Sequence, residues 1–230
     1  MLTLFVILAG CGLLAAAEPD KPTTLRYLRP SGDKFVLESA VTTTRDKDGT
    51  TTYVSLTDRG SEKMTLTLRF NKKGEIKEAE AVQETAQGKK QVSATLDNSK
   101  IRLVQDGATH DILNPPANPI VTTAPDWSDI FQLVQRYDGK KGGKQEFSGL
   151  WIHPTKKTLM LTFTIERLGS DTIKVKDAEM KLDRYRVRLR SGDYLVWADP
   201  SGRVCKLLPP GAKASPVVLE GYEEATRELK

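Results

Sequence analysis

Side chains that could ligate a metal or attack a substrate are scarce in this sequence. Beyond the N-terminal segment the imidazoles and thiols are His110, His153 and Cys205. None stands at the close His-x3-His or Cys-x2-Cys spacing that holds zinc, so neither a metal nor a cofactor is expected. His110 shares strand parity with Ala108 and Ile112, which predicts an inward, hydrogen-bonded core histidine. His153 precedes Pro154 at the end of a strand pattern. Cys205 lies in Arg203-Val204-Cys205-Lys206-Leu207 and reads as a small buried hydrophobe. A reactive thiolate needs a neighbour that lowers its pKa, and none is local. The chain has no Gly-x-Ser-x-Gly elbow. Gly139-Lys140-Lys141-Gly142-Gly143-Lys144 is followed by Gln145, so it lacks the phosphate-loop spacing and reads as a solvated loop. The 30 acids are scattered along the chain. A hydrolase working through paired carboxylates is thus the catalytic alternative, but no pair recommends itself.

The remaining candidates are surfaces for binding. Arg184, Arg186, Arg188 and Arg190 alternate with Tyr185, Val187 and Leu189. On a strand the arginines share one face, about 6.6 Å apart, with the apolar residues facing the core. Such a row suits anionic headgroups or an anionic envelope polymer; equally, acids such as Glu166 or Glu179 on neighbouring strands would neutralise it. The aromatic residues Trp127, Phe131, Trp151 and Trp197, with Tyr137, also carry two readings. They fasten a helix to a sheet, or some of them line an apolar pocket for a lipid-like ligand.

The elements that must position these residues are mostly strands. Met64, Leu66, Leu68 and Phe70 alternate with polar residues, as do Val92, Ala94 and Leu96, then Leu159 to Ile165 and Leu182 to Arg190. Phe35–Val41 and Tyr53–Leu56 flank a turn at Asp46-Lys47-Asp48-Gly49. Asp106-Gly107 is a hairpin signal of type I′, Asp199-Pro200-Ser201-Gly202 is a tight turn, and Gly169-Ser170-Asp171 is read as another. Period-two alternation broken by turn residues predicts a mainly β fold: a strongly curved antiparallel meander sheet or half-open barrel. Asn114–Pro119 cannot continue a central strand. After it, Trp127, Ile130, Phe131, Val134 and Tyr137 recur at helical spacing. Asp126 and Asp129 suit the start of this helix and Gly139 its exit. A lone amphipathic helix must bury its stripe on a sheet, here the concave face. Two β subdomains joined by the Pro-rich segment are the alternative.

Arg136-Tyr137-Asp138-Gly139, Leu150-Trp151-Ile152-His153-Pro154 and Tyr194 to Arg203 resemble uncharacterised bacterial domain-of-unknown-function families of exported β proteins. These are similar in outline to the periplasmic lipoprotein-carrier fold, a half-open β barrel with helical plugs. The resemblance covers roughly the last hundred residues and rests on structural punctuation. It implies an envelope location and a cavity for something apolar, and it transfers no catalytic residue.

Charge and leader complete the expectations. Lys and Arg total 35 against 30 acids, a net charge of +5 with the signs interspersed; a dedicated nucleic-acid binder would show a stronger, clustered excess. Leu2 to Ala17 holds no charge and ends in Ala15-Ala16-Ala17 before Glu18-Pro19-Asp20-Lys21. Residues 1–17 read as a signal peptide, shorter than the about 20 residues a spanning helix requires. Residues 18–230 are then one exported domain, periplasmic, secreted or envelope-associated, with the Pro-rich loop and helix at about 114–139. Leu8-Ala9-Gly10-Cys11 offers a lipobox instead, and the membrane becomes a partner only if Cys11 is acylated. Against that, Gly12 to Ala17 stays apolar where a lipoprotein turns polar. The expected function is a non-catalytic domain binding an apolar or amphiphilic ligand or an envelope component; the alternative is a structural or interaction protein whose concavity is filled core. Intact-mass measurement on protein from its native host should find a chain beginning at Glu18. A lipid increment on a chain beginning at Cys11 would decide for the acylated form.

Overall fold

The computed structural model describes residues 21–226 apart from 98, 124–126, 176–177 and 212. The leader through Ala17, Cys11 and Asp126 lie outside the described residues. Alternation produces the strands β1 (Thr23–Ser31), β2 (Lys34–Arg45), β3 (Thr51–Asp58), β4 (Glu62–Phe70), β5 (Ile76–Thr85), β6 (Gly88–Leu96), β7 (Lys100–Gln105) and β8 (Ala108–Leu113). Each pairs antiparallel with the next. At the Asp106-Gly107 hairpin both residues take positive φ, 49° and 77°, and Gln105 pairs with Ala108, as a type I′ turn requires.

Residues 114–119 carry the chain from β8, at one edge of the sheet, to β9 (Ile120–Thr122) at the other. Extended chain from Leu113 to Ile120 reaches at most about 25 Å, so the two edges must approach each other and the sheet must curl. Helix α1 (Ser128–Arg136) follows, then β10 (Lys144–His153), β11 (Lys156–Val175), β12 (Ala178–Leu189), β13 (Gly192–Ala198), β14 (Val204–Leu208) and β15 (Val217–Leu219). The return meander ends with β15 antiparallel to β1, giving one open, curved sheet of 15 strands. Strands from both sides of the Pro-rich segment share this sheet. β9 and β10 are parallel, and the segment with α1 supplies the crossover that parallel neighbours need.

The helix fills the concavity. Ile130, Phe131, Leu133 and Val134 share a core cluster with Tyr27, Phe163, Ile165, Val187, Val196 and Leu207, drawn from β1 and β11 to β14. A second cluster joins Leu66, Leu68, Ala81, Val92 and Ile101 to Val121, Leu150 and Ile152. β9 therefore shows one face to each: Ile120 belongs to the helix side and Val121 to the far side, as alternation demands. Its outer edge is closed by a side chain. Gln132 Nε2 donates to the Val121 carbonyl at 2.8 Å, and Gln132 Oε1 accepts from the Val121 N–H at 3.2 Å. The glutamine stands in for a neighbouring strand.

Two expectations are corrected here. Gly169-Ser170-Asp171 is not a turn: β11 runs through it, with the register slipping between Arg167 and Gly169 and Gly169 at φ 143°. The glycine makes a β-bulge that bends a long strand. His110 is exposed rather than inward, because β8 is the edge strand and both of its faces are solvated. The start of β2 also departs from alternation, with Phe35, Val36 and Leu37 all exposed.

His153 ends β10, buried as a neutral ring. Burial lowers its pKa, Lys156 lowers it further and Glu62 opposes them. The Thr155 N–H donates to His153 Nδ1 at 3.2 Å, which leaves the ring proton on Nε2. A base whose pKa is depressed on folding contributes stability that is complete above its unfolded value of about 6.5 and is lost as pH falls toward the folded value. Urea unfolding between about pH 7 and about pH 5 should show stability declining toward acid, and His153→Gln should flatten that interval. Gln132→Met keeps the length of the side chain and leaves the Val121 N–H and C=O unpaired. It should cost about 2–4 kcal/mol, read as a Tm lower by roughly 5–15 °C for a chain of this size.

Candidate functional site

At one open end of the curl the packing leaves a cavity of about 500 Å³. Six parts of the chain wall it. Thr122 and Thr123 close β9, and Trp127 and Asp129 stand at the N-terminal end of α1. Trp151 comes from β10, with Leu161 and Phe163 from β11. Leu189, Arg190, Ser191 and Tyr194 surround the β12–β13 turn, and Arg59 comes from the β3–β4 turn. Trp127 meets Tyr194 edge to face, with centroids 5.9 Å apart. Opposite them, Gly149 gives the Phe163 ring its place, because a Cβ there would stand 2.0 Å from a ring carbon. The glycine is required for close approach.

The polar groups gather around Tyr194. Its hydroxyl lies 2.8 Å from Ser191 Oγ. Burial raises its pKa, the Ser191 bond lowers it, Asp129 raises it and Arg59 lowers it. One hydroxyl thus feels the serine, the carboxylate and the guanidinium together. Asp129 is buried and accepts from the Ile130 N–H at 2.8 Å, where the positive end of the helix suits its charge. Arg59 reaches Glu38 at 3.7 Å, while Arg29 holds the same carboxylate at 3.0 Å. Among the described residues no acid pairs with Arg190, which is exposed beside the cavity. Trp127 occupies the N-cap position of α1 and provides no side-chain cap. Trp127 Nε1, Thr123 Oγ1 and the adjacent Ser128 Oγ are buried and have no hydrogen-bond partner among the described residues.

The four aromatics considered for a ligand separate into two pairs. Trp127 and Trp151 line the cavity. Phe131 stacks on Tyr27 at 4.9 Å within the helix–sheet core. Trp197 donates from Nε1 to Asp171 Oδ2 at 2.8 Å and lies under Lys206, whose Nζ is 5.2 Å from the ring centre. Phe131 and Trp197 are therefore core residues away from the cavity.

The arginine row forms as alternation predicts, with Tyr185 and Val187 buried behind it, and most of it is neutralised. Arg184 meets Asp171 at 3.1 Å, Arg186 meets Glu166 at 3.7 Å, and Arg188 forks onto both oxygens of Asp193 at 2.6 and 2.8 Å. Arg190 differs because it stands in the turn after β12 and leaves the strand's alternation. Arg59, Leu161, Phe163 and Tyr194 complete the cavity without any sequence signal beyond strand pattern and turn composition.

Cys205 is fully buried and its thiol is pushed up, chiefly by burial. Its Sγ donates to the Arg203 carbonyl at 3.4 Å. A thiol held protonated in this way is a packing group. Next to it, Arg203 is fixed by Asp199, Nε to Oδ2 at 2.9 Å, and the Tyr222 hydroxyl is pushed up to about 12 by burial and by its bond to Cys205. Among the described residues no group of three or more His, Cys, Asp or Glu is placed to hold a metal ion.

No family model matches the chain, and no curated protein does. Among solved structures, it is similar to a DUF1089 family protein from Pseudomonas aeruginosa at 16% identity, over 91% of this chain and 97% of that one, with a TM-score of 0.46. At that distance the likeness assigns neither a function nor a site to this chain.

Proposed function

We propose that this is an exported, non-catalytic β domain that holds the apolar part of an amphiphilic ligand in the cavity between α1 and strands β10 to β13. The observation that carries the reading is the cavity itself. Its volume of about 500 Å³ falls within the roughly 300–1,000 Å³ of small-molecule sites. Its walls are mainly aromatic and aliphatic, from Trp127, Trp151, Leu161, Phe163 and Leu189, with a few polar groups at one side. A concave apolar chamber with sparse, placed polar groups is the form that ligand sites take. Export is supported by the apolar run from Leu2 to Ala17. The non-catalytic reading is supported by the chemistry around the titratable groups. Cys205 is held as a thiol, His153 is a buried neutral ring that is not among the residues lining the cavity, and Asp129 is engaged with its own helix.

Native mass spectrometry of the purified protein with dodecyl amphiphiles, below their micelle concentrations, tests the reading. A single-ligand adduct is expected. Leu161→Arg places a charge in the apolar wall and should weaken the adduct by about tenfold or more. Val104→Arg, on the exposed face of β7, should leave it intact. A series of chain lengths that yields no adduct at all would overturn the proposal in favour of a filled core.

A further inference from the structure

The cavity has a charge preference. Its apolar walls would accept any hydrocarbon chain, but its polar groups are mostly donors and cations. Arg190 has no acid partner among the described residues, and Arg59 is the more distant of two arginines on one carboxylate, Glu38. α1 has nine residues and presents its N-terminal end to the cavity through Trp127 and Asp129. A helix N-terminus carries the equivalent of about half a positive charge and unsatisfied N–H groups. Trp127 supplies no side-chain cap there. Two side chains of the lining also lack an acceptor. Trp127 is 9% exposed and Thr123 is 2% exposed, and neither Trp127 Nε1 nor Thr123 Oγ1 has a partner among the described residues. An indole N–H can only donate, and a buried donor left unpaired destabilises the fold by about 1–3 kcal/mol. The positive charge of the two arginines and of the helix end favours an oxyanion.

Resting on the amphiphile reading above, we propose that the ligand is an anionic amphiphile, a hydrocarbon chain ending in a carboxylate or phosphate. Its acid head is held by Arg59, Arg190 and the N-terminal end of α1. The guanidinium groups supply the charge and the forked donors that oxyanions favour. Among the described residues Asp129 is the one acid of the lining, and it does not reverse the preference. Its carboxylate accepts from the Ile130 N–H and is offset by the same helix end. A cationic head would find this one buried carboxylate and meet two guanidinium groups.

The experiment compares dodecanoate, dodecyl phosphate, dodecanol and dodecyltrimethylammonium on the purified protein. Binding is read from the fluorescence of Trp127 and Trp151 and confirmed by native mass spectrometry. Either acid should bind at least about tenfold more tightly than the alcohol, and the ammonium more weakly than the alcohol. A preference for the phosphate or for the carboxylate names the head; both are oxyanions and both support the inference. Arg190→Gln and Arg59→Gln should each bring the acid-to-alcohol ratio toward unity. Arg186→Gln, outside the cavity and paired with Glu166, should leave that ratio as it was. Both cavity arginines are exposed, so thermal unfolding of their variants should stay close to that of the parent. Equal affinity for acid and alcohol, or preference for the ammonium, would overturn the anionic head while leaving the amphiphile reading in place. No binding by any dodecyl compound would overturn both.

Discussion

Val121 sits on an edge strand whose outer neighbour is a side chain. Gln132 gives its amide N–H to the Val121 carbonyl and takes the Val121 N–H on its own carbonyl, repeating with one residue the pattern of a strand ladder. An open sheet has two edges, and each presents unpaired backbone groups that must be hydrated, covered or paired. Here β8 is left to solvent, with exposed and partly exposed side chains along its length. β9 is buried throughout, where an unpaired amide is costly. The glutamine pair permits that burial and ties the helix to the sheet edge in the same act. Gln132 Nε2 also donates to the Ser128 carbonyl at 3.0 Å, so the helix, its first turn and the edge strand are linked through one amide.

The cavity follows from this tie. The helix is anchored to β9, and its apolar stripe is spent on Tyr27, Phe163 and the strands beyond. Its N-terminal end is thereby set at the open end of the curl, against the β12–β13 turn. Trp127 and Tyr194 touch there, but the space between them, Trp151 and the β11 side chains stays unfilled. Gly149 contributes by letting the Phe163 ring lie across its strand, which shapes one wall. The floor of the chamber belongs to the same cluster that stabilises the domain, so the shape of the site and the stability of the fold share residues.

Local features of this architecture are readable in the sequence, and long-range ones are not. Alternation gives β4, β6, β7 and β12 with their correct inward faces, and the positive-φ pair at Asp106-Gly107 is announced by residue type. The helix is found at its true position because its stripe is periodic. Gly169-Ser170-Asp171 misleads because a bulge and a turn draw on the same residues; only the partner strand, with Gly169 opposite Arg184, tells them apart. His110 misleads because parity describes a face and says nothing of what covers it. Among the aromatics, residue type cannot separate a wall from a core. Trp151 and Trp197 look alike in sequence, yet one borders the cavity and the other is closed off by Asp171 and Lys206. Arg59 enters the site only because the sheet curls far enough to bring the β3–β4 turn to β13.

Where sequence logic and structure part company at the helix start, the discrepancy has a physical meaning. Elsewhere the chain satisfies its turns with care. Asp97 accepts from the Ser99 and Lys100 N–H groups, Asp199 from those of Ser201 and Arg203, and Asn71 from Lys73 and Glu75. At the N-terminal end of α1, by contrast, Trp127 stands where a Ser, Thr, Asp or Asn is favoured as cap. The neighbouring Thr123 and Ser128 hydroxyls also lack partners among the described residues. A large aromatic at a cap position gives up about 1 kcal/mol of helix stability, and each buried orphan adds to that deficit. Consistency across levels is the rule for a folded sequence, and local exceptions tend to collect where a protein does something other than fold. Among the described residues three of the buried groups without a partner, Trp127 Nε1, Thr123 Oγ1 and Ser128 Oγ, lie at this helix start beside the chamber, while Ser39 Oγ, Thr57 Oγ1 and Arg184 Nε lie elsewhere in the sheet.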